Sequence, residues 1–225
     1  MEKQFWVDFA EGRIDVPGML AETEKRPELL DWLTGIADPK FKTTVVHRET
    51  DEDGYTTYTP EELPFDAKMQ IEEYIHRDRG GNLGKFLNVH DLFSRVLTTA
   101  FPDEGIVIDQ RLSKKFGFML DACPEYIGGP EVDHLLEELL EELPTDLSKA
   151  KRVKLYKEKV KDLFPMAGKK YPRWVQEAEW PLSSSGKPMR FVEQKKGEHY
   201  KTTMQTYFIF EDTDTGETRT VEQFT

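Results

Sequence analysis

Two Glu-x-x-His pairs are the residues whose spacing in this sequence most resembles a metal site. Glu73 precedes His76, and Glu131 precedes His134. Some helical bundles bind two metal ions through such pairs, provided that the side chains point into the bundle. At 100° per residue, both histidines lie opposite the apolar residues of their predicted helices. We therefore expect both pairs to face solvent, and the sequence predicts no metal ion and no cofactor.

A histidine and a cysteine are the other isolated candidates for chemistry. His90 lies between Phe86 and Phe93 in an apolar helical stripe, which is typical of a buried histidine whose ring is hydrogen-bonded. Cys123 precedes Pro124 and has no recognisable histidine partner, so a buried and unreactive thiol is expected.

A glycine-rich segment partly matches a phosphate-binding loop. Residues 80–85 read Gly-Gly-Asn-Leu-Gly-Lys. The pattern requires a glycine where Arg79 stands and a serine or threonine where Phe86 stands. We therefore predict no nucleotide site there and no catalytic residue elsewhere, which favours a protein that is not an enzyme. The alternative is an enzyme of unrecognised type with its site at the seam between helices and sheet.

Composition limits the classes of partner. The 225 residues include 43 acidic and 31 basic side chains, a formal net charge of −12. A nucleic-acid or anionic-membrane partner is disfavoured because both need a basic surface. A basic protein partner is compatible, because opposite charges accelerate encounter. Alternatively, the negative charge serves only to keep the protein soluble.

The sequence contains no pattern typical of a secretory signal at its N-terminal residues and none typical of a membrane-spanning helix. The N-terminal residues contain no uninterrupted apolar stretch of the secretory kind, and no apolar run approaches about 20 residues. The single cysteine allows no intramolecular disulfide. A cytoplasmic location is expected.

The hydrophobic period changes near Tyr171. Before it, spacing of three and four residues predicts helices, which lie within residues 2–40, 64–78, 86–101, 109–122, 130–143 and 147–164. After it, the period becomes two. The predicted fold class is α+β, with a mainly helical domain at 1–168 and a small antiparallel β module at 169–225 docked on the helices. Residues 41–62 fit either a hairpin or an exposed loop, with turn-like residues at 51–54.

The last two predicted helices carry opposite charges on their outer faces. The first, from Pro130, is acidic, and the second, ending near Phe164, is basic. The acidic face fits a decoy for a basic surface, and the basic face fits a nucleic-acid contact. Such patterns normally mark solvated helix faces whose opposite charges offset each other.

The β module is predicted as a three-stranded meander. Alternation occurs over residues 189–194, 204–211 and 218–223, with turns at 195–199 and at 212–216. Aromatic side chains with amides could form a recognition surface here. The candidates are Trp174, Gln176, Trp180, Met189, Phe191 and Gln194. The alternative is that they form the core of the module.

One motif of the β module is similar to a known family. Its residues are Pro172, Trp174, Val175 and Gln176, then Gly186, Lys187, Pro188 and Met189, then Phe191 and Gln194. This segment resembles a fragment of the YwqG-like (DUF1963) bacterial proteins, in which cysteines occupy the intervening turn. Here Trp180 and residues 183–185, three serines, stand in those places, and hydroxyls are poor zinc ligands, so a metal-free turn is predicted. The resemblance implies no established activity.

The overall character of the chain is similar to that of bacterial toxin-immunity proteins, which are small, acidic and cytoplasmic. We therefore predict a non-enzymatic protein-binding protein of the immunity type with a basic partner. A structural domain of a larger assembly is a further alternative.

Overall fold

The computed structural model describes residues 1–50, 52, 56–77, 80–200 and 203–224. Within these residues the fold is α+β as predicted, with eight α-helices and two antiparallel sheets. The helices span Glu2–Ala10 (α1), Val16–Lys25 (α2), Glu28–Ile36 (α3), Ala67–Ile71 (α4), Asn82–Ala100 (α5), Arg111–Ala122 (α6), Asp133–Glu141 (α7) and Lys149–Leu163 (α8). None of these described helices combines the length and the apolarity that crossing a bilayer requires.

A π-helical segment, Glu72–Arg77, continues α4 and corrects one prediction. Glu73, within this segment, is buried rather than solvent-facing, as is the polar Gln70 three residues earlier, and Arg77 Nη1 lies 3.4 Å from Glu73 Oε2. His76 is exposed, as expected.

The chain divides into two compact units. The first unit comprises Met1–Asp78 and Gly84–Ser113, and the second comprises Arg79–Leu83 and Lys114–Thr225. The predicted boundary at residue 168 does not coincide with this division, because α7 and α8 belong to the same unit as the C-terminal sheet.

The core of the first unit is built from aromatic residues of α1 and α5. Trp6 makes edge contacts with Phe9 and Phe93, with ring centroids 5.7 and 5.6 Å apart. The buried Trp6 Nε1–H donates to the carbonyl oxygen of Leu29 (3.1 Å), which satisfies the indole and ties α1 to α3.

The first unit also contains an antiparallel hairpin of Lys42–Thr50 (β1) and Thr56–Pro64 (β2), one of the two structures left open by the sequence. Thr43 and Val45 are buried, whereas residues 47–50 are exposed. Most of the predicted turn at 51–54 lies outside the described residues.

The second unit carries the predicted meander, with Arg190–Tyr200 (β3), Thr203–Glu211 (β4) and Thr218–Phe224 (β5) in the order β3-β4-β5. The turn predicted at 195–199 is wrong, because β3 continues through these residues with one register shift, between Lys196 and His199. Residues 201–202 lie outside the described residues. The turn at 212–216 is present: the Asp212 carboxylate accepts hydrogen bonds from Asp214 N and Thr215 Oγ1, both 2.9 Å.

Candidate functional site

A segment of irregular backbone, residues 171–180, packs on the meander, and we call it the strap. Its half-buried anchor is Trp174, whose ring lies 4.4 Å from that of Phe208 and 6.1 Å from that of Phe210. The Trp174 Nε1–H donates to the carbonyl oxygen of Tyr126 (3.0 Å). One side chain thus joins the strap to β4 and to the connector between α6 and α7.

A buried glutamine of β5 fixes the middle of the strap. Gln223 is 2% exposed, and its Oε1 accepts hydrogen bonds from the backbone amides of Val175 and Gln176, both 3.0 Å. Its Nε2 donates to the carbonyl oxygen of Glu177 (2.7 Å). The amide therefore satisfies three backbone groups that no strand pairing satisfies.

A second glutamine fixes the beginning of the strap. Gln194 of β3 accepts from Arg173 N through Oε1 (3.0 Å) and donates to Arg173 O through Nε2 (3.2 Å). This two-way bond reproduces the pairing that a neighbouring strand would make. The strap is consequently held by amides along the sheet.

The six residues of the predicted surface separate into two groups. Trp180, Met189 and Phe191 are 1%, 4% and 2% exposed, so they are core residues and do not contribute to an exposed surface. The Trp180 Nε1–H donates to Met189 O (2.8 Å), which satisfies the buried indole. Gln176 and Gln194 are exposed, with Trp174 beside them. The prediction was wrong for the first three because apolar side chains in a small module are needed for its core.

A groove of about 650 Å³ runs beside the strap, and we call it the aromatic groove. The rings of Tyr126 and Tyr171 stack there at 4.6 Å with an interplanar angle of 18°. The side chains that give the groove its chemistry are Tyr126, Tyr171, Trp174, Glu125, Glu177 and Arg173. Its volume lies in the range of ligand sites.

The charges of the aromatic groove come from two carboxylates and one guanidinium. Among the residues described, Glu125 and Glu177 form no ion pair, and neither does Arg173. Burial raises the pKa of the Tyr126 hydroxyl, with smaller contributions from Tyr171 and Cys123, so this hydroxyl is a donor at neutral pH. The groove therefore offers flat aromatic faces beside negative charge.

The sequence did not indicate that Gln223 holds the strap or that Glu125 and Tyr126 line the aromatic groove. Gln223 shares a strand face with the buried Val221, and that period-two relation was the available signal for its burial. No sequence pattern indicated that the connector carrying Glu125 and Tyr126 folds against the strap.

The turn after the strap is closed by its own hydrogen bonds. Ser183 N donates to Lys187 O (2.8 Å), and Gly186 N donates to Ser183 O (3.0 Å). The hydroxyls of Ser183 and Ser185 lie 3.0 Å apart and hydrogen-bond each other. Within the described part of the chain, no three His, Cys, Asp or Glu side chains cluster in a way that suits a metal ion.

His90 and Cys123 lie apart from the strap. His90 is buried in the first unit, with its ring 5.1 Å from Phe9, but neither ring nitrogen has a hydrogen-bond partner among the described residues, so the expected hydrogen bond is not found. Burial raises the pKa of the Cys123 thiol to about 12, and the Sγ–H donates to Ile127 O (3.6 Å). Cys123 is half-buried rather than buried as expected, and its thiol is protonated at neutral pH, which is typical of an unreactive cysteine.

The glycine-rich segment binds carboxylates of the protein itself. Gly81 N donates to Asp133 Oδ2 (3.3 Å), and Leu83 N donates to Glu137 Oε1 (2.7 Å). Burial raises the pKa of Glu137, and the neighbouring Asp133 adds to that rise. These amides at the start of α5 are therefore already occupied by side chains of α7.

Several charges on the outer faces of α7 and α8 are paired within the second unit. Glu142 Oε2 lies 2.6 Å from Lys159 Nζ, and Glu141 pairs with Lys115. Arg219 forms a two-point bond with Glu131, with N–O distances of 3.1 and 2.8 Å. These pairs support local charge balance rather than a decoy or a nucleic-acid contact.

Comparison of the chain with protein-family profiles, curated proteins and solved structures found no match. The resemblance of residues 172–194 to YwqG-like proteins stays a prediction.

Proposed function

We propose that this chain is a non-enzymatic, cytoplasmic protein-binding protein of the immunity type, and that it engages a basic protein partner through the aromatic groove. The observation that carries the proposal is the combination of stacked tyrosines and two carboxylates without an ion pair among the described residues.

The chemistry of the groove suits a lysine or arginine side chain of the partner. A cation is attracted to the face of an aromatic ring by about 0.5–2 kcal/mol, depending on how dry the contact is. Glu125 and Glu177 line the same groove and would pair with that cation. Arg173 would discourage insertion of a second cation at its end of the groove.

The fixed backbone of the strap supports recognition rather than turnover. Gln223 and Gln194 hold successive backbone groups of the strap by hydrogen bonds of 2.7–3.2 Å. A surface that is ordered before binding loses less conformational entropy when a partner docks. The net charge of −12 would steer a basic partner toward the protein.

The test is capture of a partner from a lysate of the native host, with two variants in parallel. The wild-type chain should retain a protein of high isoelectric point, identified by mass spectrometry. A Glu125→Gln/Glu177→Gln double variant should retain at least tenfold less of it, because about 1.4 kcal/mol of binding is a factor of ten. Glu179→Gln is the matched control, since Glu179 is exposed on the strap and does not line the groove.

Retention of the same protein by the double variant at the wild-type level would refute the groove as the contact. Recovery only of acidic proteins would refute the charge of the partner.

A further inference from the structure

A second cavity lies beside β3, on the edge that does not face β4. The chain leaves this edge and returns to it. Phe191 N donates to Pro165 O (3.0 Å), and Ala167 N donates to Phe191 O (2.8 Å), which fixes the departure. The amide of Gln194 binds both backbone groups of Arg173, which fixes the return. Between these two points the chain bows away from the strand, and we call residues 168–173 the arch.

The space under the arch is a pocket of about 760 Å³, which we call the arch pocket. Its floor is the β3 edge from Phe191 to Gln194, and Tyr171 contributes to its wall. Both ends of the arch are hydrogen-bonded to β3, so the pocket is built by fixed backbone rather than by a loose loop. Its size suits a small molecule.

The charges of the arch pocket are strongly one-sided. Four cations line it, namely Lys169, Lys170, Arg173 and Lys196. None of these four forms an ion pair with any residue that the structure describes. The carboxylate that lines the pocket, Glu193, is 2.7 Å from Lys195, which lies outside the lining.

This concentration of positive charge stands out in an acidic chain. The second unit contains 20 acidic and 19 basic residues, so it is nearly neutral overall. Four cations held around one cavity without local partners repel one another, and an anion in the pocket would relieve that repulsion. Ammonium and guanidinium groups together suit phosphate and carboxylate groups.

We propose that the arch pocket binds a small molecule that carries two or more negative charges on phosphate or carboxylate groups. The site is separate in chemistry from the aromatic groove, although Tyr171 and Arg173 line both. A chain with an acidic overall charge thus contains a localised anion site.

The experiment is calorimetric titration of the full chain at low ionic strength with two probes, inorganic pyrophosphate and citrate. Binding of either probe supports the proposal, and their comparison distinguishes phosphate from carboxylate recognition. Lys170→Gln and Lys196→Gln should each raise the dissociation constant about tenfold, since a charge-assisted hydrogen bond contributes about that factor. Lys151→Gln is the matched control, because Lys151 is an exposed lysine of α8 in the same unit that neither lines the pocket nor forms an ion pair with a described residue, and it should change binding less than twofold.

Three results would overturn the proposal. The first is no heat of binding for either probe at millimolar concentration. The second is equal weakening by Lys151→Gln and Lys196→Gln, which would indicate diffuse attraction. The third is that a hexaglutamate peptide binds to the chain while neither pyrophosphate nor citrate does. Because Glu125→Gln/Glu177→Gln should leave pyrophosphate binding intact, failure of this proposal and failure of the partner proposal are distinguishable.

Discussion

The strap owes its conformation to two glutamine side chains. A primary amide has an acceptor oxygen and a donor nitrogen on one planar group, so it can replace both halves of a missing backbone pair. Gln194 does this for Arg173, and Gln223 does it for three consecutive strap residues. Glutamate lacks the donor and a methyl-terminated side chain lacks both groups, so the amide is specifically required.

Cys123 should be resistant to alkylation. Burial raises the pKa of its thiol to about 12, with a further contribution from Asp133. At pH 8 the thiolate fraction is then on the order of one in ten thousand, and the thiolate is the reactive form. We expect iodoacetamide to modify the folded chain at least about a hundredfold more slowly than the urea-unfolded chain, as followed by mass spectrometry. Equal rates would contradict the assigned environment.

The same shift determines how this thiol affects stability at high pH. Its folded pKa, about 12, exceeds the ordinary value of 9.0, so the folded state holds the proton more tightly. The stabilisation is complete below about pH 9 and is lost as the pH rises toward 12. Burial also raises the pKa of Tyr156, whose hydroxyl donates to Leu136 O (3.0 Å), and it acts in the same direction above pH 10.

At the scale of elements, the start of α5 depends on a close approach to α7. A Cβ added at Gly81 would overlap Glu137 Oε1 and lie 2.9 Å from Asp133 Cβ. We expect Gly81→Ala to lower the free energy of unfolding by about 1–3 kcal/mol, in the range of other overpacked sites, as measured by urea denaturation.

Gly117→Ala is the control for that substitution. Gly117 lies inside α6, and nothing lies within 4 Å of an added Cβ there. Alanine should therefore raise stability by up to about 1 kcal/mol through helix propensity. Equal effects of the two substitutions would show that the carboxylates of α7 do not confine Gly81.

Removal of the Gln223 amide should release the strap. Gln223→Met keeps the length of the side chain but leaves three backbone groups without their partner, so a loss of about 2 kcal/mol is expected. Hydrogen exchange at Val175 and Gln176 should accelerate by at least tenfold. Glu222→Gln, an exposed change on the same strand, should leave both quantities nearly unchanged. Unaltered hydrogen exchange in Gln223→Met would contradict the conclusion that the Gln223 amide holds the strap.

Periodicity predicted most elements, and it failed where local geometry departs from a regular period. The meander and the helices around Trp6 and Phe93 follow their apolar spacing. Glu73, in the π-helical segment, is buried together with the polar Gln70 three residues earlier, and the spacing of the apolar residues indicates neither burial. Likewise, β3 extends through 195–199 with irregular register, although polar residues there suggested a turn.

At the scale of the whole molecule, the acidic charge is unevenly distributed. The first unit contains 23 acidic and 12 basic residues, a net charge of −11, and the second unit contributes only −1. The overall composition indicated an acidic protein but concealed this division. Two residues of the predicted surface, Trp174 and Gln176, line the aromatic groove, whereas Glu125 and Tyr126 reach it only through folding.

Binding of the proposed basic partner as a function of salt tests the central proposal most directly. Titration calorimetry of the purified partner should be performed with the wild-type chain and with Glu125→Gln/Glu177→Gln, at low and at physiological ionic strength. We predict that wild-type affinity falls at least tenfold as salt rises, because exposed charges are screened beyond about 8 Å at physiological salt. The double variant should bind more weakly at low salt and respond less to salt. An affinity that is the same in both proteins and at both salt concentrations would contradict a charge-based contact in the aromatic groove.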